Sequence, residues 1–292
     1  MNHKHLALLA SLAIFSACGS SNQDNAADND QDTTATAEST LELLWSTDST
    51  LQVPESVLFD GQSQVLYVSQ IDGKPDGKDN QGGIAKVGLD GQIIDLDWVT
   101  GLSAPKGMGM GGGYLYVTDL TELVQIDLAN GKITKKIPVA GAQALNDVSV
   151  DGQGNVYFTD KSAGKIHLLK DGQVSTYHEG ADNPNGVLAV SDGVLFAASG
   201  SLYKLDANKN LTTLAEGMDK STDGIEEIAP GEYLVSCWSG YVYHVKADGT
   251  TTTLLDTSAD KVNSADIGYD AAKRIVYVPT FYKKSVMAYQ LK

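Results

Sequence analysis

Pro184-Asn185-Gly186-Val187 and Thr222-Asp223-Gly224-Ile225 are two copies of one phrase, a small or polar pair running into an apolar residue. The same phrase returns as Pro54-Glu55-Ser56-Val57, Pro105-Lys106-Gly107-Met108, Leu145-Asn146-Asp147-Val148 and Ser264-Ala265-Asp266-Ile267. Its second members stand at 55, 106, 146, 185, 223 and 265, at intervals of 51, 40, 39, 38 and 42. A nearly fixed period of roughly 40 residues marks a repeat architecture in which each copy is one supersecondary unit.

Working outward from each phrase, a second strand follows at a steady offset: Leu66-Tyr67-Val68, Leu115-Tyr116-Val117, Val156-Tyr157-Phe158, Leu195-Phe196-Ala197, Tyr233-Leu234-Val235 and Val276-Tyr277-Val278. Apolar-polar alternation predicts a third strand at 84–87, 123–126, 166–169, 202–205, 241–245 and 286–289. A fourth is predicted at 93–96, 135–139, 174–177, 211–214 and 251–255. Period-2 alternation punctuated by Gly, Asn and Asp turns is the hairpin signal. Four short strands per repeat with no helical period between them describe a propeller blade. The expectation is an all-β domain over 41–292, a six-bladed β-propeller. The sixth repeat holds only three strands, and Leu41-Glu42-Leu43-Leu44-Trp45 is a spare strand. It is predicted to complete the last blade, since an unpaired place would leave an exposed edge. The extra length of the first repeat falls in a Gly/Asp/Lys-rich loop, 72–83, which either overhangs the central channel or runs idle over the surface.

The rest of the chain carries an address. His3, Lys4 and His5 precede an apolar run at 6–15 and then Ser16-Ala17-Cys18. That run is too short to span a bilayer and ends in small residues, as a signal peptide over 1–17 would. Ser-Ala-Cys resembles a bacterial lipobox, which implies lipidation of Cys18 and a protein held at the cell envelope, facing periplasm or exterior, by its lipid alone. Ordinary secretion with cleavage nearby is the other reading. Residues 18–40 lack large apolar side chains after Cys18 and read as a tether. Asp28-Asn29-Asp30-Gln31-Asp32 lacks the glycine turn and distal Glu of a calcium loop, so it reads as a solvated acidic run. A net charge of -16 argues against nucleic acid, which needs Lys and Arg to neutralise phosphate. A small-molecule ligand and a monomer are the expectation. Cys237 is the only other cysteine and is predicted to be buried.

Chemistry is sought in the phrase itself. The first strand of every propeller blade lines the central channel, so the second members form a ring: Glu55, Lys106, Asn146, Asn185, Asp223, and Ala265 beside Asp266. Two carboxylates and two carboxamides are hard oxygen donors, suited to a divalent cation, calcium first, with magnesium, manganese or zinc as alternatives. Asn and Asp before Gly also serve as turn formers at strand entries. That account covers neither Glu55 nor the confinement of the polar set to one repeat position. His167, His178 and His244 show no ligand spacing. No Gly-x-Ser-x-Gly elbow is present, which disfavours a serine hydrolase. Gly107, Gly109 and Gly112 match a dinucleotide-binding pattern but lie within a strand and turn, not before a helix.

Pro-Glu-Ser-Val, Leu-Asn-Asp-Val, Pro-Asn-Gly-Val and Thr-Asp-Gly-Ile resemble, in order, the phrases of the senescence-marker-protein, gluconolactonase and luciferin-regenerating-enzyme family of six-bladed propellers. The resemblance implies cation binding by Glu55, Asn185 and Asp223, with Asn146 as a further ligand or in contact with substrate or with water on the cation. It implies metal-assisted hydrolysis of a lactone or ester, for which Asp223 or another ring carboxylate would serve as general base. Lys106 is a cation that the family pattern does not call for, and one reading is that it holds an anionic product or developing oxyanion. For Lys106 a salt bridge to Glu55 or Asp223 is an equal reading. Departures also stand in the sequence. Ala144 occupies the place of a sugar-gripping Arg, and no Glu is found near 161–165. The rival function is a non-catalytic cell-envelope propeller that binds a ligand or partner protein, since a fold alone does not fix a function.

Overall fold

Six four-stranded antiparallel sheets arise where the sequence alternates four times per repeat. The computed structural model describes residues 39–292, so Cys18, the signal segment and nearly all of the tether lie outside the described residues. Blade one runs outward from the axis as Pro54–Asp60, Val65–Gln70, Gly82–Gly88 and Ile93–Leu102. Blades two to five repeat that order from inner strands Pro105–Gly111, Leu145–Val150, Pro184–Val190 and Thr222–Ala229. Blade six is built from both ends of the domain: Gly268–Asp270, Ile275–Pro279 and Val286–Leu291, then Leu41–Ser46 as its outer strand. Leu41 faces Leu291 and Ser46 faces Met287 in antiparallel register. Apart from the strands, the described residues contain one 3-10 turn, Phe281–Lys283.

The core lies between blades, where side chains of neighbouring sheets interdigitate. Leu66, Val68, Ala85 and Val87 of blade one, for example, pack against Tyr277, Val286 and Ala288 of blade six, with Trp45 at the margin. The Trp45 indole N–H donates to the Leu89 carbonyl at 3.0 Å. A Cβ on Gly91 would lie 2.8 Å from that ring. The N-terminal strand therefore bolts blade six to blade one as well as finishing a sheet. On the axis the ring closes through Val57 N–H to Asp266 O at 3.1 Å and Asp266 N–H to Glu55 O at 3.0 Å. The sixth phrase differs from the others: 264–267 precedes the short strand Gly268–Asp270 and pairs with blade one through an isolated Ser56–Asp266 bridge.

Each phrase in blades one to five sits on a β-bulge. Pro184 faces Ala198 and Val187 faces Phe196, so three steps on one strand match two on the other. Equivalent irregularities occur at Pro54/Ser56, Pro105/Met108, Leu145/Val148 and Thr222/Ile225. A bulge inserts one unpaired residue and re-aims a side chain. The glycines after Asn185 and Asp223 are not turn residues. Neither has a left-handed φ, and a Cβ at Gly186 would lie 1.9 Å from the Asp223 carbonyl oxygen, one at Gly224 2.3 Å from Asp266 Oδ1. Glycine is required because the inner strands crowd together at the axis.

Candidate functional site

A bulge frees a backbone N–H, and hydroxyls from the second strands take it up. Ser69 Oγ accepts from Ser56 N–H at 3.0 Å, Thr159 Oγ1 from Asp147 N–H at 3.0 Å and Ser236 Oγ from Gly224 N–H at 2.9 Å. Two of these hydroxyls then donate onward to the next blade's phrase, Thr159 to Asn185 O at 2.6 Å and Ser236 to Ala265 O at 2.7 Å. Thr118 donates likewise to Asn146 O. The backbone at Asn146, Asn185 and Ala265 is thus fixed from the preceding blade. At the entrance to blades two and three a carboxylate secures the approach. Asp119 accepts from Ala104 N–H at 2.8 Å, and Asp160 from Gln143 and Ala144 N–H, both at 2.9 Å.

What this scaffold presents is one cavity of about 290 Å³ lined by Glu55, Lys106, Asn146, Asn185 and Asp223, one residue from each of blades one to five. Glu55, Asn146, Asn185 and Asp223 are all buried. Within this set Glu55 Oε2, Asn185 Oδ1 and Asp223 Oδ1 have no hydrogen-bond partner. Burial, and then the neighbouring Asp223 charge, push the Glu55 carboxyl well above its ordinary range, with Lys106 opposing. Burial pushes Asp223 up to about 7 against the opposing pull of Lys161, the Asn185 carboxamide and Lys106. Burial pushes the Lys106 ammonium down, with Glu55 opposing.

Of the two readings of Lys106, the salt bridge is not formed: among the described residues no ion pair joins it to Glu55 or Asp223. Its Nζ donates instead to Pro75 O at 2.6 Å and Ala104 O at 3.3 Å. Pro75 belongs to loop 72–83 and lines the cavity, so that loop overhangs the channel mouth. Asp266 leaves the ring. Ala265 is buried with Ile71, Ala104 and Phe281. Asp266 turns instead to a second cavity of about 180 Å³, shared with Asp147 and Glu226. There the carboxylates are tied to the fold, Asp266 by Ser56 Oγ at 2.5 Å and Asp147 by the N–H groups of Val148 at 2.6 Å and Val187 at 2.7 Å.

An orphaned buried oxygen is costly unless something electropositive meets it. Three such oxygens in one cavity, two from carboxylates and one from a carboxamide, fit a hard divalent cation, with Asn146 as a fourth donor alongside. Among the described residues no group of three His, Cys, Asp or Glu side chains forms a metal cluster, so the carboxamides are essential to the set. The histidines stay out of it: His167 stacks on Phe158, His178 lies against Phe196 and His244 meets Glu232 at 2.8 Å. The cavity also holds residues that the repeat could not reveal, among them Lys161, Ser221, Trp238, Phe281 and Tyr282.

Solved structures share this architecture. A putative gluconolactonase superposes with a TM-score of 0.66 at 16% identity, covering 88% of this chain and 93% of its own. A gluconolactonase from Xanthomonas campestris gives 0.62 at 15%, covering 84% and 88%. The chain has the six-bladed fold of the gluconolactonases. A virginiamycin B lyase from Staphylococcus aureus, solved with quinupristin, also superposes, with a TM-score of 0.63 at 13% identity, covering 87% of this chain and 100% of its own. No protein-family model matches the chain, and no curated protein matches it.

Proposed function

We propose that this chain is a divalent-cation-dependent hydrolase of a lactone or ester, held at the bacterial cell envelope by lipid on Cys18. The observation that carries the reading is the trio of unpartnered buried oxygens, Glu55 Oε2, Asn185 Oδ1 and Asp223 Oδ1, brought from three blades into one cavity. Glu55, Asn185 and Asp223 would hold the cation, with Asn146 beside them; calcium suits this all-oxygen set best. When bound, the cation supplies Lewis-acid polarisation of a carbonyl and a more acidic water.

The chain's own residues do the rest. Asp223 takes the proton of the attacking water at the carboxylate oxygen that does not face the cation, a general-base role. Asn146 orients the substrate from blade three. An ammonium has three donors, and Lys106 spends two on Pro75 and Ala104, which leaves one for a substrate oxygen. Ala144 gives no guanidinium grip, which turns the reading away from a sugar lactone.

Metal analysis of the purified protein followed by a lactone and ester panel tests the proposal. Stoichiometric divalent cation with turnover abolished in Asp223→Ala supports it. A metal-free, inert protein overturns it in favour of a non-catalytic propeller that binds a ligand or partner protein. The anchor has its own support in the apolar run 6–15 and Ser16-Ala17-Cys18. Metabolic labelling with palmitate should mark the chain, and Cys18→Ala should release it from membranes.

A further inference from the structure

Part of the cavity lining takes no share in holding a cation. Trp238, in the turn after the strand Glu232–Cys237, meets Phe281 edge to face, with ring centroids 5.5 Å apart at 81°. Phe281 meets Tyr282 at 4.7 Å and 88°. Phe281 is buried, whereas Trp238 and Tyr282 are 37% and 58% exposed at the mouth. The backbone that sets this out is strained: Phe281 has φ of 50°. An aromatic residue in the left-handed region persists only where its surroundings enforce it. Here a clamp at the base of the turn does so. Thr280 N–H donates to Ser285 O at 2.9 Å, Thr280 Oγ1 to Ser285 O at 2.8 Å, and Ser285 N–H to Thr280 Oγ1 at 3.0 Å. The fold therefore holds two large aromatic rings half in solvent over the site.

The charges of the cavity point the same way. Glu55 and Asp223 bring two negative charges, and Lys106 and Lys161 bring two positive ones. A divalent cation is matched by the two carboxylates, which leaves the two ammonium groups as the unmatched charges of the lining. Asp147 and Asp266 are held by hydrogen bonds to the phrases and line the other cavity, so neither faces a ligand at this mouth. Lys106 is largely committed to loop 72–83, but among the described residues Lys161 takes part in no ion pair.

Resting on the hydrolase reading, we infer that the substrate is an anion with a flat apolar ring, its negative charge met by Lys161 and its ring laid against Trp238 and Tyr282. Aromatic faces suit such a ring, and an unpaired ammonium at a half-buried site favours a carboxylate over a neutral isostere.

Calorimetric titration of the calcium-loaded protein with phenylacetate, phenylacetamide and acetate tests this. Phenylacetate should bind tightest of the three. Lys161→Met should weaken phenylacetate by roughly fivefold, the scale of one partly exposed ion pair, and narrow its lead over phenylacetamide. The same variant should bind calcium more tightly, because a competing cation is gone; general damage to the site would weaken both. Trp238→Ala should weaken phenylacetate and phenylacetamide together while leaving acetate behind. Equal binding of phenylacetate and phenylacetamide, or an unaltered ratio in Lys161→Met, overturns the inference. If calcium binds and a neutral lactone is opened while these ratios stay at one, the hydrolase reading stands and this one falls. If no cation binds, both fall.

Discussion

Replacing Asp223 by Asn should make the cation-free protein more stable, and only above acid pH. Asp223 is buried, one of its oxygens has no partner, and its carboxyl is pushed from 3.8 to about 7. A native pKa above the unfolded one means that the native state binds the extra proton. Stability then falls as pH rises from about 4 to about 7 and is flat beyond. At about 1.4 kcal/mol per pH unit the full effect is about 4 kcal/mol, an upper bound because the cavity opens to solvent. Asn keeps the shape and discards the charge, so Asp223→Asn should gain up to about 4 kcal/mol at pH 8 and nothing at pH 4. Urea unfolding in the presence of a chelator, with midpoints compared at equal slope at both pH values, measures the difference. Added calcium should reverse the order, because only the wild type gains from ligand binding to the native state. A gap of equal size at pH 4 and pH 8, or no gain at pH 8, would refute the assignment of Asp223 as a strained, cation-seeking carboxylate.

Gly186→Ala should cost about 3 kcal/mol by overpacking, since its Cβ would lie 1.9 Å from a backbone oxygen that cannot step aside, and should weaken calcium binding as Asp223 shifts; urea unfolding and calorimetry read the two effects. Removing 39–46 should destabilise the domain by about 3–5 kcal/mol, the scale of losing one large packed aromatic, because Trp45 leaves the margin between blades six and one. The bared edge of Val286–Leu291 should also make the truncated protein self-associate, which light scattering would detect. Burial pushes the Cys237 thiol up, and only a thiolate is a competent nucleophile. Iodoacetamide should therefore label Cys237 only under unfolding conditions, as peptide mass spectrometry would show.

The repeat period made the blades legible, and the odd strand count made the closing strand legible, because both are written in local alternation. The ring of Glu55, Lys106, Asn146, Asn185 and Asp223 was readable for the same reason: one repeat position, one bulge and one direction. Asp266 stands one place later in its phrase, and like Asp147, the third member of its own phrase, it lines the other cavity; the second member there is Ala265, which brings no donor. Lys161, Trp238 and Tyr282 could not be read in advance, since they stand on turns whose course follows from packing and not from a period. The hydroxyls at 69, 118, 159 and 236 were a missed signal: a Ser or Thr recurs at the same place in four of the second strands. Lys106 showed its charge in the sequence, but its commitment to the Pro75 carbonyl depends on how a loop folds 31 residues away.

Closure of blade six by the first strand sets how the domain bears a pull on its ends. Leu41 faces Leu291, and the Lys292 N–H donates to Thr40 O at 3.0 Å, so both ends leave the sheet from the same corner. Tension applied between them would fall on the outermost hydrogen bond of the ladder first and then on each in succession, as in a zipper. A load entering at one end and leaving through the far side of the ring would instead shear the whole ladder at once. The direction of tension, more than the number of bonds, would decide when the ring opens.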